Sequence, residues 1–219
     1  AVPIVVRTQY LPFFSRFGNY DMSLYDEIAY KEDQWFELWA HEASIAPVKN
    51  EPFFRFIKER AKRGDTWKGL YKVAKEEPEY VKTVLKEVEQ RGPLEAKHLN
   101  DPRYINQSGW GSRSVGQLAL NWLYRIGEVG IRRGKNFEKK YDLITNIVPP
   151  EVLSRPSPTE EESLKELYLW AASAMGVASA RDIQDYFRTR SANTPTLLAE
   201  LVEEGLLRKV AVEGWGLES

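Results

Sequence analysis

The segment from residue 92 to 149 constrains the fold most, because it joins an apolar-periodic helix to a basic two-stranded turn. Apolar side chains recur at helical spacing at Val115, Leu118, Leu120, Leu123 and Ile126. A short helix over 93–99 is expected before it, and strands over 129–131 and 137–141 are expected after it. This order is typical of a winged helix-turn-helix with its wing, and it predicts nucleic-acid binding.

Positive charge is concentrated in the middle of the chain, although the formal net charge of the 219 residues is only −1. Residues 103–150 hold 8 Lys and Arg against 3 Asp and Glu, whereas residues 151–219 hold 7 against 12. The surplus of cations in the middle suits the neutralisation of phosphates, which supplies most sequence-independent affinity for DNA. A solvated charged face is the alternative explanation of the same counts.

Composition excludes several classes of protein. The chain has no cysteine, so it has neither a disulfide framework nor thiolate metal sites. It also has no apolar run of about 18 residues and no signal-peptide pattern. We therefore expect a cytoplasmic protein that has no membrane segment.

The winged-helix pattern occurs a second time after a Pro- and Glu-rich linker. Thr159 and Glu162 have the spacing of a capping box at the start of a helix. A short helix over 179–187, a third helix opened by Thr194 and a strand over 207–212 are expected to follow. The helix that would face a major groove is acidic and carries Glu200, Glu203 and Glu204. We therefore expect this copy to serve packing or architecture rather than base recognition.

The predicted fold is mainly α with small β wings, arranged as tandem winged helix-turn-helix domains. Residues 1–77 are expected to form a helical N-terminal part, the remainder of a truncated catalytic winged-helix region. Residues 78–150 are expected to form the basic winged helix with its hairpin, and residues 151–219 the acidic one. Pro78 is expected to divide the charged stretch over 66–91 into two helices.

Several sequence blocks, in one order, resemble the AlkZ/YcaQ group of bacterial DNA glycosylases. The blocks are residues 4–11, 14–20, 39–44, Pro47, 92–93, 108–110, 127–129 and 133–143. The resemblance covers residues 1 to about 150 well and the remainder more loosely. Several blocks in a fixed order are more specific than any single short motif.

The resemblance implies tandem winged helices followed by a β-barrel-like C-terminal region. It also implies an enzyme that hydrolyses the N-glycosidic bond of N7-alkylated purines in double-stranded DNA and opens interstrand crosslinks. Such an enzyme would be nucleoid-associated and would need no metal and no cofactor. The family's catalytic signature is a Gln-x-Asp or Gln-x-Gln triplet just before the segment that matches residues 1–7. The chain lacks that triplet, since Gln9 stands between Thr8 and Tyr10. We therefore expect the central part of such an enzyme, inactive alone.

His41 and Glu42 match a His-Glu-Ala block of the family and are the candidate catalytic residues that remain. An N7-alkylated guanine is cationic and already a good leaving group, so the reaction mainly needs negative charge near the sugar and a positioned water. Glu42 would supply that charge, because a carboxylate in so apolar a run needs a partner. His41 would bind backbone or phosphate. Alternatively, it is a partly buried histidine that ties this run to the first helix.

The candidate DNA-binding residues are cations with one tryptophan: Arg7, Arg16, Trp110, Arg113, Arg132, Arg133, Lys135, Lys139 and Lys140. Those of the hairpin alternate with Ile131, Phe137 and Tyr141, so one face would pack and the other would follow a groove or backbone.

Arg7 and Arg16 are expected near opposite ends of the first helix. For Arg16, an ion pair with Glu27 or Glu37 is the alternative to a phosphate contact. Trp110 would stack or wedge against a base pair, or else anchor its loop.

The main alternative to a glycosylase is a winged-helix transcriptional regulator or architectural DNA-binding protein without enzymatic activity. It explains the basic hairpin and the repeated pattern, but not the His-Glu block at residues 41–42. A winged helix that binds another protein fits the acidic second copy better than the first.

Overall fold

The structure is a computed structural model, and it describes residues 7–30, 34–104, 114–134 and 137–215. Its α-helices are α1 Leu11–Phe17, α2 Met22–Ala29, α3 Arg55–Lys62, α4 Lys68–Glu76, α5 Pro78–Arg91, α6 Val115–Ile126, α7 Pro150–Leu153, α8 Glu160–Met175, α9 Ala180–Tyr186 and α10 Thr194–Glu203. Its strands are β1 Trp35–Trp39, β2 Ala43–Pro47, β3 Val129–Arg133 and β4 Lys139–Leu143. They form two antiparallel hairpins, β1–β2 and β3–β4. The prediction of a mainly α chain with small β elements is confirmed.

The middle of the chain folds closely as its sequence predicts. The side chain of Ser114 caps α6 by accepting a hydrogen bond from the backbone N–H of Gln117. Gly127 ends the helix in the left-handed conformation, at φ 80°. Strands β3 and β4 then pair with Ile131 opposite Tyr141. Helix α4 ends at Glu76 and Pro78 begins α5, so the predicted division into two helices is confirmed.

Two clusters of buried side chains form the core. One lies within the middle of the chain, where α5 and α6 cover the inner face of β3–β4. The other joins residues 36–56 to residues 147–201, so that β1, the 3-10 segment Val48–Phe54 and α3 share a core with α7–α10. The N-terminal hairpin and the C-terminal helices therefore depend on each other, whereas the middle unit has a core of its own.

Glu51 is a charged residue buried within the shared core. Its carboxylate binds the side chains of Arg55 and Lys58, and Arg55 also donates to the carbonyl oxygen of Val152, at 3.0 Å. Burial acts to raise the pKa of Glu51, but Lys58 and Arg55 outweigh it, so that the pKa is lowered. This network fastens the segment before α3 to α7.

Three expectations for local structure are wrong. The segment 93–99 contains only a 3-10 turn, Ala96–His98. Arg7 is not on α1, because Pro12 lies in the first turn of that helix and a proline fits there but not further in. The strand expected over 207–212 is not formed. The N–H groups of residues 206 and 207 instead bond to the carbonyl of Leu201, and no described strand lies beside them.

Candidate nucleic-acid interface

Arg133, at the end of β3, is bound to a carboxylate of the other hairpin. It donates from Nε and Nη2 to the two carboxylate oxygens of Glu37, at 2.7 and 2.6 Å. The two side chains are only 13% and 7% exposed. Glu37 lies on β1, which packs beside β3. This bidentate pair therefore holds the two hairpins together.

Arg132 is bound within its own hairpin. Its Nε donates to the carboxylate of Asp142 at 3.0 Å, and its guanidinium also donates to the carbonyl oxygen of Asn146. The Asp142 side chain is nearly buried and also accepts hydrogen bonds from the backbone of Leu143 and the amide of Asn146. Arg132 thus shapes the base of the hairpin.

The lysines of β4 lie on opposite faces of the hairpin. Lys139 stands opposite Arg133, on the face that buries Ile131 and Tyr141, so the predicted division into an apolar face and a basic face is wrong. Burial lowers the pKa of Lys139, with Arg133 acting in the same direction. Lys140 lies on the other face, where it is half-exposed and makes no ion pair with any described residue.

Phe137, in the turn of the β3–β4 hairpin, contacts two of the arginines predicted to bind DNA. Its ring is contacted by the guanidinium groups of Arg7 and Arg133, 4.3 and 4.2 Å from the ring centroid. Tyr30 packs edge-on against the same ring, with centroids 5.9 Å apart. The hairpin therefore contacts the N-terminal segment as well as β1.

Arg16 is exposed on α1. It donates to the carbonyl oxygen of Pro12 at 2.8 Å, and within the described ranges it forms no ion pair with Glu27 or Glu37. Large apolar side chains surround it on α1 and α2, and the exposed ones are Leu11, Phe13, Phe14, Phe17, Met22, Leu24 and Ile28. Arg16 is therefore placed where it could reach a ligand, on a surface that is otherwise apolar.

His41 and Glu42 lie in the turn between β1 and β2 and contact α9 and the loop that follows it. The Nδ1 of His41 donates to the carbonyl of Asp185 at 3.0 Å, and Arg188 donates to its Nε2 at 3.0 Å. A neutral imidazole with its proton on Nδ1 satisfies both bonds. Glu42 is exposed and lies 3.5 Å from Arg188, so the partner expected for its carboxylate is an arginine of the C-terminal unit. His41 does not tie the run to the first helix but to the C-terminal helices.

Three of the predicted DNA-binding residues, Trp110, Arg113 and Lys135, lie outside the described residues.

The acidic residues of α10 are largely engaged with their own unit. Lys165 of α8 binds Glu200 and Glu204, each at 2.8 Å. These hydrogen bonds raise the pKa of Lys165. The two carboxylates thus connect α10 to α8.

A polar stripe on α6 was not among the predicted site residues. Gln117, Asn121 and Arg125 recur at intervals of four on a helix that is otherwise mostly apolar, so they share one face. The hydroxyl of Tyr141 donates to Asn121 at 2.7 Å and accepts from Gln117 at 2.8 Å. Burial raises the pKa of Tyr141 to about 12, which keeps this donor protonated. The spacing of these three residues in the sequence could have indicated that they share one face of the helix.

The described residues limit the class of site in two ways. They contain no group of three or more His, Cys, Asp or Glu side chains placed to hold a metal ion. None of their helices is both long and apolar enough to cross a membrane.

The comparison with protein families gives one match. A family model described as "DNA glycosylase AlkZ-like" matches residues 4–219, which is nearly the whole chain. No solved structure gives a significant match.

Proposed function

The chain belongs to the AlkZ-like DNA glycosylase family, and from this premise we propose that it holds damaged duplex DNA for hydrolysis of the N-glycosidic bond of N7-alkylated purines. The family match over residues 4–219 carries the proposal. Opening of interstrand crosslinks would use the same reaction, because a crosslink through a purine N7 is released when that purine leaves its sugar. The substrate would place the protein at the nucleoid, in the cytoplasm.

We further propose that residues 78–150 act as a winged helix with β3–β4 as its wing, and that residues 151–219 act as a second, architectural one. Residues 1–77 would complete a catalytic winged-helix region. The order of α5, α6 and β3–β4 supports the first assignment. The packing of Glu200 and Glu204 against Lys165 supports the second.

We propose that Lys139 and Lys140 of the middle unit bind phosphate. Arg16 of α1, in the N-terminal part, would bind phosphate with them. Lys140 is half-exposed without an ion pair among the described residues, and Arg16 is exposed. Trp110, Arg113 and Lys135 remain predicted contacts. Arg132, Arg133 and Arg7 would act indirectly by fixing the hairpin, since their guanidinium groups contact Asp142, Glu37 and Phe137.

For His41 and Glu42 we propose positioning rather than direct participation in catalysis. Their side chains contact Asp185 and Arg188, so they set the distance between the β1–β2 turn and the C-terminal helices. The negative charge that stabilises the developing sugar cation would then come from other groups of the enzyme.

The test is release of 7-methylguanine from a duplex by the protein, followed by chromatography of the free base. A glycosylase releases the base and leaves an abasic site, whereas an undamaged duplex gives no product. Binding to both duplexes with no released base would favour the alternative, a transcriptional regulator or an architectural DNA-binding protein.

A further inference from the structure

A cavity of about 720 Å³ opens beside α6, between the start of α4, the end of β1 and the start of β4. We call it the α4–α6 cavity. It is lined by Trp39, Thr66, Trp67, Leu70, Gln117, Asn121, Tyr124, Arg125 and Lys139. Its volume lies within the range of about 300 to 1,000 Å³ typical of small-molecule sites. The function proposed above uses one of these residues, Lys139, but assigns no ligand to the cavity itself.

The lining combines aromatic rings with positive charge. The side chains of Trp39 and Trp67 are 44% and 54% exposed, an unusual state for tryptophan in a folded protein. Arg125 and Lys139 bring two cations, and no carboxylate is among the described residues that line the cavity. Exposed indole rings stack on nucleobases, and paired cations bind phosphate.

Two amide side chains of α6, Gln117 and Asn121, line this cavity and are held in fixed orientations. The Oδ1 atom of Asn121 accepts from both the Tyr141 hydroxyl and the Gln117 amide, which fixes the orientation of both amides. The remaining atoms, Nδ2 of Asn121 and Oε1 of Gln117, have no partner among the described residues. A donor beside an acceptor is the arrangement that recognises the edge of a base.

We propose that the α4–α6 cavity binds one nucleotide with an uncharged base: the base stacks on tryptophan and meets the amides of α6, and the phosphate meets Arg125 and Lys139. Its assignment to an unpaired nucleotide of DNA rests on the proposed function. A free nucleotide shares this chemistry and is the other source.

The same charges make the cavity unsuitable for the cationic alkylated base itself. An N7-alkylated purine would bring a third positive charge beside Arg125 and Lys139, whose acidic neighbours, Asp65 and Glu37, are not among the described residues that line the cavity. The cavity therefore selects an undamaged nucleotide, such as the one left unpaired opposite a lesion.

The first experiment titrates the 219-residue chain with dAMP and follows tryptophan fluorescence. We expect saturable quenching, weaker binding of adenosine because it lacks the phosphate, and about tenfold weaker binding of N7-methyl-GMP than of GMP. Trp67→Ala should abolish most of the response. Trp215→Ala is the matched control, because Trp215 is 45% exposed and does not line the cavity.

The second experiment compares two duplexes, one fully paired and one with a single deoxyadenosine opposite an abasic-site analogue. We expect about tenfold tighter binding of the second, consistent with the energy of one stacked base. Asn121→Ala and Gln117→Ala should each reduce that preference and leave the affinity for the paired duplex unchanged.

The outcomes separate this proposal from the function on which it rests. Absence of dAMP quenching together with equal affinity for the two duplexes overturns the cavity proposal, while retained duplex binding leaves the proposed function standing. Binding of dAMP that depends on Trp67, without binding of either duplex, assigns the cavity to a free nucleotide and counts against the proposed function. Tighter binding of N7-methyl-GMP than of GMP also overturns the charge argument.

Discussion

Helix α6 of the middle unit and α10 of the C-terminal unit have the same place in the helix order, yet their polar side chains have different partners. On α10, Glu200 and Glu204 are bound to Lys165 of the same unit. On α6, Gln117 and Asn121 bind Tyr141 through one side of each amide and leave the other side to a cavity. Glu200 and Glu204 of the C-terminal unit are therefore bound within that unit, whereas the amides of Gln117 and Asn121 each keep one polar atom that could bind the proposed ligand.

The comparison also shows that the net charge of a segment differs from the charge that remains available to a ligand after ion pairing. The middle unit has a surplus of cations in its sequence, but Arg133 and Arg132 are bound to Glu37 and Asp142. Only part of that surplus remains for DNA. A count of charges by segment is therefore a poor guide to an interface until the partner of each charge is known.

The largest expected effect comes from breaking the link between the two hairpins. Arg133→Met leaves Glu37 buried without its partner, and we expect a loss of about 3–5 kcal/mol in the free energy of unfolding. Urea denaturation measures it. The double variant Glu37→Met with Arg133→Met should recover most of the loss, because it removes both charges. A loss below about 1 kcal/mol in the single variant would show that the pair is solvated.

The second prediction concerns the charge that remains for DNA. Lys139→Glu combined with Lys140→Glu should lower duplex affinity at all sequences, by about tenfold or more. The slope of log K against the logarithm of the salt concentration should also become less negative by about one to two. Arg208→Glu with Lys209→Glu is the charge-matched control in the C-terminal unit, and we expect no change from it. An unchanged salt slope in the first variant would mean that the wing does not touch phosphate.

The third prediction tests whether His41 serves position or catalysis. His41→Ala removes the bonds to Asp185 and Arg188, and we expect a loss of about 1–2 kcal/mol in the free energy of unfolding with duplex affinity unchanged. Base excision by the protein should fall only modestly. A fall of more than about 100-fold with unchanged stability would instead favour a catalytic role.

The smallest effect is expected at Lys165, in the C-terminal unit. Hydrogen bonds from Lys165 to Glu200 and Glu204 raise its pKa in the folded state, so its stabilising contribution is present at neutral pH. It should be lost as the pH rises above about 10.4, the ordinary lysine value, and through the raised folded value. We expect a small, salt-sensitive difference in Tm between Lys165→Met and the unchanged protein at pH 7, which shrinks in alkaline solution. A difference that persists at high pH would point to packing of the side chain stem.

Local elements could be predicted from the sequence because their causes are local. The spacing of apolar residues, Ser114 and Gly127 define α6, and the capping box of Thr159 and Glu162 defines the start of α8. The strand expected over 207–212 failed because a strand also needs a partner, and the helix-end hydrogen bonds to Leu201 take its first N–H groups.

The candidate site was harder to predict because its contacts join distant parts of the chain. Arg133 and Glu37 are 96 positions apart, and His41 and Arg188 are 147 apart. Neither pair has a sequence pattern that connects its members. The face shared by Gln117 and Asn121 was visible in the sequence, but the tryptophans beside it come from β1 and the start of α4.

Hydrogen–deuterium exchange of the 219-residue chain, with and without a saturating duplex, tests most directly the claim that the middle unit binds DNA and the C-terminal unit packs. The account predicts slower exchange in β3–β4 and at the start of α6 when DNA is bound, with α10 unchanged. Protection of α10 with none in β3–β4 would contradict it.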